Sequence, residues 1–190
     1  VEAECLRSFS FNYYTNKMNK GSLARFVLQG IEGQDAKKGM ERIAKEIKED
    51  LIRENIDVEN LCVCLPAGTG TSAFYLRQFL ECPVVCTPCI SNKAYLLQQF
   101  NSFSSKGEFF PLILESKKNY SFGKLYIDFF ELYKQMKTKV NIEFDLLYDM
   151  KMLTALKENL HELPKTILYL HCGGQEGNAS MLARYQRKFS

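Results

Sequence analysis

Leu61-Cys-Val-Cys-Leu-Pro-Ala-Gly-Thr-Gly-Thr-Ser-Ala73 decides the fold class. Leu61–Leu65 is a short apolar run with no polar alternation, the composition of a strand covered on both faces. A Gly/Thr-rich turn follows, and Ala73–Leu80 takes up helical spacing. The same rhythm repeats downstream. Pro83–Cys86 reads as a strand, Lys93–Phe100 as a helix and Phe109–Leu114 as a strand. Asp128–Lys137 reads as a helix opened by a capping box, Asp128 with Glu131. Asp149–Lys157 is a short helix, Thr166–Leu170 an apolar strand, and Asn178–Phe189 a closing helix capped by Asn178. Upstream, Met40, Ile43, Ala44, Ile47 and Leu51 form the apolar stripe of a surface helix over 35–53. Strands alternating with helices predict an α/β fold: an open, mostly parallel sheet with helices on both faces. Residues 1–30 read irregularly, so the division expected is a lead-in over 1–28 and one α/β body over 29–190.

Composition narrows the function. The chain has 190 residues, 46% hydrophobic, 25% charged and 13% aromatic, which excludes a disordered tail, a fibrous repeat and a membrane bundle. Its formal charge of +3 is weak, and basic residues lie beside acids, as at Lys37-Lys38 and Glu41-Arg42. No nucleic-acid stripe is expected. The uncharged stretch from Asn60 to Leu76 is broken by Pro66 and Gly68–Ser72, whereas a membrane span needs about 20 mostly apolar residues. Val1-Glu-Ala-Glu4 has no secretion-signal character, and a first residue other than Met suggests a processed chain or a part of a longer one. Seven Cys (5, 62, 64, 82, 86, 89 and 172), without such a signal, suggest reduced thiols in a cytoplasm. The spacing Cys62-x-Cys64 and Cys86-x-x-Cys89 invites zinc. Strand alternation accounts for it as well, through small buried hydrophobes, and metal-free thiols are the expectation.

Three segments carry chemistry. Gly68, Thr69, Gly70, Thr71 and Ser72, between a buried strand and a helix, make a phosphate cradle: glycines turn amides toward an anion and the helix start adds positive potential. No Gly-Lys-[Ser/Thr] follows, so it is not a Walker A loop. Thr87-Pro88-Cys89 stands where a dinucleotide site wants an acid. A plain structural turn is the alternative. A second glycine pair, in Leu168-Tyr-Leu-His-Cys-Gly-Gly-Gln175, again follows an apolar strand, and His171 there reads as a strand-end histidine or a catalyst. His161 sits in a polar loop. In the third segment, Ile142–Lys151, Asp149 taken alone caps a helix.

In this order the segments resemble the 1-aminocyclopropane-1-carboxylate deaminase and D-cysteine desulfhydrase family of pyridoxal-phosphate enzymes. Ala67–Ser72 corresponds to its phosphate loop, Phe144-Asp-Leu-Leu-Tyr-Asp-Met-Lys151 to Phe-Asp-x-x-Tyr-x-x-Lys, and Leu170-His-Cys-Gly-Gly-Gln175 to a strand ending in His-Thr-Gly-Gly. Phe26–Ile31 is a fainter echo of a Val-Pro-Glu-Gly-Gly turn. The resemblance implies the large cofactor domain of a fold type II enzyme, with pyridoxal 5'-phosphate as cofactor. It implies a carbon–nitrogen or carbon–sulfur lyase acting on a small amino acid, and a homodimer. Gly68–Ser72 would hold the cofactor phosphate. Tyr148 would transfer a proton or act as a nucleophile, Asp149 would lie near the pyridine nitrogen, and Cys172, in place of Thr, would lie with Gly173 beside the ring. The family's Schiff-base lysine precedes everything that matches here. Thr15-Asn-Lys17 and Ser91-Asn-Lys93 do not replace it, and Lys151 lies beyond Tyr148 on a segment with other duties. The chain then corresponds to the C-terminal two-thirds of such an enzyme. The other readings are a non-catalytic phosphate- or cofactor-binding remnant and a zinc-binding structural protein.

Overall fold

Runs rich in Leu, Val and Cys form the inner strands of the computed structural model, which describes residues 34–103 and 110–189. β1 (Leu61–Ala67) and β2 (Val84–Pro88) are buried almost throughout, as unalternating apolar strands must be. β3 (Leu112–Ile113) and β4 (Thr166–Tyr169) complete a four-stranded, all-parallel sheet in the order β3-β2-β1-β4. Val63 stands opposite Val84 on one side and Leu168 on the other. The helices are α1 (Gln34–Arg53), α2 (Thr71–Phe79), α3 (Lys93–Phe103), α4 (Ile127–Val140), α5 (Asp149–Asn159) and α6 (Asn178–Phe189).

Period-two alternation divides β1 between two cores. Leu61, Val63 and Leu65 join Ala44 and Ile47 of α1, Phe74 of α2 and Phe100 of α3. Cys62 and Cys64 face the other way, against Met152 and Leu156 of α5. Helices therefore cover both faces, as expected. A third cluster, around Phe129, Tyr133, Met181 and Tyr185, seats α4 and α6 on the 144–150 segment.

Several local expectations are corrected. The predicted strand Phe109–Leu114 contracts to Leu112–Ile113, which pair with Val85 and Cys86, and Leu114 adds a single amide bond to the Cys86 carbonyl (2.8 Å); Phe109 lies outside the described residues. The Asp128–Glu131 capping box does not form. Helix α4 starts at Ile127 after Tyr126, and the Asp128 carboxylate accepts instead from Lys118 Nζ (2.9 Å) and Tyr120 OH (3.1 Å). Asn178 heads α6 but does not cap it. Its side chain accepts from the Leu146 amide (3.0 Å) and donates to the Phe144 carbonyl (2.9 Å), pinning the 144–146 segment. The lead-in 1–28, Cys5 and the Phe26–Ile31 echo lie outside the described residues.

Candidate functional site

β1 ends in the Gly68–Ser72 loop, which hands the chain to α2. Gly70 has φ +82°, and a Cβ there would lie 2.6 Å from Phe100 Cε1, so this turn needs glycine. Phe74 N–H is bonded to Gly70 O (2.9 Å), the first bond of the helix, and no side chain caps its start. The amides of Thr71, Ser72 and Ala73 thus have no acceptor within α2 and point out of its positive end. Thr69 and Thr71 hydroxyls bond each other at 3.0 Å, which leaves one of their two protons to give. Such an arrangement of backbone amides can seat an anion.

The facing wall is the turn into α5. Asp145 accepts from the amides of Leu147 (3.1 Å) and Tyr148, while Asp149 Oδ2 accepts back from the Asp145 amide (2.8 Å). Asp149 Oδ1 accepts from Tyr169 OH at 2.6 Å, and His171 Nε2 lies 3.7 Å from Oδ2. Both carboxylates are buried, Asp145 3% and Asp149 1% exposed. So Asp149 does not cap α5: Asp145 closes the turn that leads into it, and Asp149 braces that turn. The reciprocal bonds set the backbone that presents Tyr148, whose ring packs on Phe122 at 5.2 Å between centroids. Burial, then the nearby Cys89 and Asp145, pushes the Tyr148 phenol up, so it keeps its proton at neutral pH. Burial also pushes Asp145 up, against the pull of the two amides that it accepts from.

The third wall is the turn after β4, where Gly173 and Gly174 take φ +79° and +83°. Cys172 sits at the surface with Sγ turned onto the Leu170 carbonyl (3.5 Å); desolvation, and then Asp149, push its thiol up to about 11. His171 does not line the cleft. Its Nδ1 accepts from the Gly173 amide (3.1 Å), which leaves Nε2 to donate to the Glu143 carbonyl (3.0 Å). That is the work of a strand-end histidine.

Gly68, Thr69, Gly70, Thr71, Ser72, Tyr148, Asp149, Cys172 and Gly173 all line one cleft of about 460 Å³. The carboxyl ends of parallel strands share one edge of the sheet, so motifs that follow different strands meet there. Sequence reasoning missed Asp145, Leu147, Ile90 and Gly174, which also line it. Asp145 was findable, since an Asp two and three residues ahead of the amides that it accepts is a known turn signature. Ile90, over Gly68, had no local signal. No lysine is among the lining residues described: Lys93 heads α3, and Lys151 Nζ donates to the Tyr120 carbonyl (2.9 Å). The described thiols are free: Cys82 and Cys86 lie in the core on one face of the sheet, and Cys62 and Cys64, with Sγ 3.7 Å apart, in that on the other. No group of three or more His, Cys, Asp or Glu among the described residues could hold a metal ion, and no described helix is long and apolar enough to cross a membrane.

No family model and no curated protein matches the chain. Among solved structures it is similar to one described as an ACC deaminase homologue, with a TM-score of 0.70 and 16% identity, over 95% of this chain and 61% of that one. The resemblance read from motif order thus recurs in three dimensions, and the chain spans about three-fifths of its neighbour's length. What the two share is an α/β fold, in this chain with an all-parallel sheet, over nearly all of its residues.

Proposed function

We propose that this chain is most of the pyridoxal-phosphate-binding domain of a fold type II deaminase or desulfhydrase, a lyase acting on a small amino acid such as 1-aminocyclopropane-1-carboxylate or D-cysteine. One observation carries the reading. An anion seat of unpaired amides, a protonated tyrosine and a Cys-Gly turn share one cleft, in a fold like that of an ACC deaminase homologue. The residues fit the cofactor: Gly70 supplies the left-handed turn that leads the loop into α2, and the Thr71, Ser72 and Ala73 amides have no helical acceptor. They would hold its phosphate. Bound there, pyridoxal phosphate supplies an electron sink for charge developing on an amino acid.

The chain's own residues would do the rest. Tyr148 Oη, protonated and at the cleft wall, holds a proton to give, which favours acid over nucleophile. Asp149 contributes negative potential to the same wall, while Tyr169 and the Asp145 amide keep its oxygens in place. Cys172, with its thiol held up at about 11, is a weak donor where the family has a hydroxyl.

The absence of a lysine among the described lining residues favours a second reading, a site that binds the cofactor without bonding it. Borohydride reduction of the chain with pyridoxal phosphate, followed by peptide mapping, separates the two. The expected outcome is saturable binding by absorbance, scattered substoichiometric lysine labelling, and no ammonia or sulfide from either amino acid. One stoichiometrically labelled lysine with product release would show that this chain holds its own catalytic lysine. No saturable binding would end both readings.

A further inference from the structure

Beside the cleft, where β2 and β3 end, lies a smaller cavity of about 240 Å³ whose lining includes Thr87, Asn92, Glu115, Ser116, Tyr120 and Lys151. Nothing in the site above uses it. Lys151 is only 8% exposed, and its ammonium makes one hydrogen bond, to the Tyr120 carbonyl. Among the described residues no carboxylate forms an ion pair with it. Glu115 attracts it through space but commits Oε1 to the Lys93 amide. Thr87 Oγ1, on a fully buried side chain, and Ser116 Oγ are buried without a hydrogen-bond partner among the described residues.

An unmet buried hydroxyl is destabilising, and a buried positive charge with no ion-pair partner in contact is more so. Lys151, Thr87 and Ser116 line the same cavity. A water could serve the hydroxyls but leaves the charge unbalanced. A cation would be repelled by Lys151, and an apolar ligand would leave all of these groups unmet. An oxyanion answers them together, accepting from the ammonium and from both hydroxyls.

We propose that this cavity binds a small oxyanion, phosphate or a monocarboxylate, through Lys151 Nζ, Thr87 Oγ1 and Ser116 Oγ. The bound ion would steady the 116–120 segment, and that segment is close to the candidate cleft. Phe122, just beyond it, packs on the Tyr148 ring, and Cys89 Sγ, between the cavities, reaches the carbonyls of Thr87 (3.4 Å) and Tyr148 (3.6 Å).

The test is a titration of the full ¹⁵N-labelled chain with phosphate and, separately, acetate, at constant ionic strength in chloride. A Ser72→Asp background removes the seat at α2 as a competing site. The expected result is saturable shifts of the Thr87, Ser116 and Tyr120 amides. Thr87→Val with Ser116→Ala should weaken binding about tenfold or more while the spectrum stays that of the folded protein. Thr87→Val alone, nearly isosteric, should be no less stable than the parent without anion and should lose part of the thermal stabilisation that the anion gives. Response to phosphate alone assigns a tetrahedral ion, and response to acetate alone a carboxylate. No saturable shift with either ion, or affinity unchanged by the double substitution, overturns the proposal.

Discussion

Gly70 and Ser72 sit two residues apart in one loop and should tolerate opposite changes. Gly70→Ala places a Cβ on Phe100 in a left-handed backbone, and the expected loss is about 1–3 kcal/mol by thermal unfolding. A charged residue at Gly70 therefore cannot test the anion seat without disturbing the fold. Ser72 can. It is exposed in the first turn of α2, where a carboxylate suits the helix dipole. Ser72→Asp should leave the melting temperature unchanged or slightly raised and lower affinity for pyridoxal phosphate more than about tenfold by calorimetry, through repulsion at the helix start. Unchanged affinity would sink the assignment of the seat. The loop was legible from its glycines, but which glycine is irreplaceable depended on Phe100 of α3. The same holds for Tyr148. Its motif marked it, whereas its protonation state comes from burial near Cys89 and Asp145.

At the scale of elements, β1 shows why its cysteines are spaced by two. Cys62 and Cys64 fill the narrow gap between the sheet and α5, beside Val85, Met152 and Leu156. Burial, then Cys62, pushes the Cys64 thiol far up, so it behaves as a small hydrophobe. Cys64→Ala should cost about 1 kcal/mol by denaturant unfolding, for the lost sulfur and its cavity. Cys64→Ser should cost more, about 1–3 kcal/mol, because a hydroxyl there is stranded beside another thiol. Equal stability of the two variants would argue against this packing role. Strand cores and amphipathic stripes were readable because they follow one period. Helix starts were less so. Lys118 and Tyr120 took Asp128 away from its expected box, and Phe144 and Leu146 took Asn178, through contacts that no local pattern records.

Across the whole molecule, Lys151 ties α5 to the chain beyond β3, and its burial gives stability a signature with pH. Desolvation lowers its pKa below the usual 10.5, with Cys89, Tyr126 and Glu115 opposing. Between that lowered value and 10.5 the unfolded chain holds a proton that the folded chain does not, so this lysine's contribution to stability rises as pH rises through the window. In chloride, the stability of wild type relative to Lys151→Met should therefore climb as pH rises toward 10, as measured by denaturant unfolding. A flat difference would mean that the ammonium is solvated. Such burial is beyond a sequence reading, as is the stranding of Thr87 and Ser116, because it depends on segments far apart in the chain packing together. What the sequence carried was the alternation of strand and helix and the order of motifs after the strands. Those sufficed for the parallel α/β class and for part of the cleft lining, from Gly68–Ser72 to Tyr148, Asp149, Cys172 and Gly173, since hydrophobic period is a local property and parallel strands end on one edge. Packing then chose which way each group points: Asp149 inward to Tyr169, and Lys151 away from the cleft into a second cavity. The physical reason is that apolar patterning specifies how deeply a residue is buried, whereas its neighbour is set by how elements from different parts of the chain fill the remaining space.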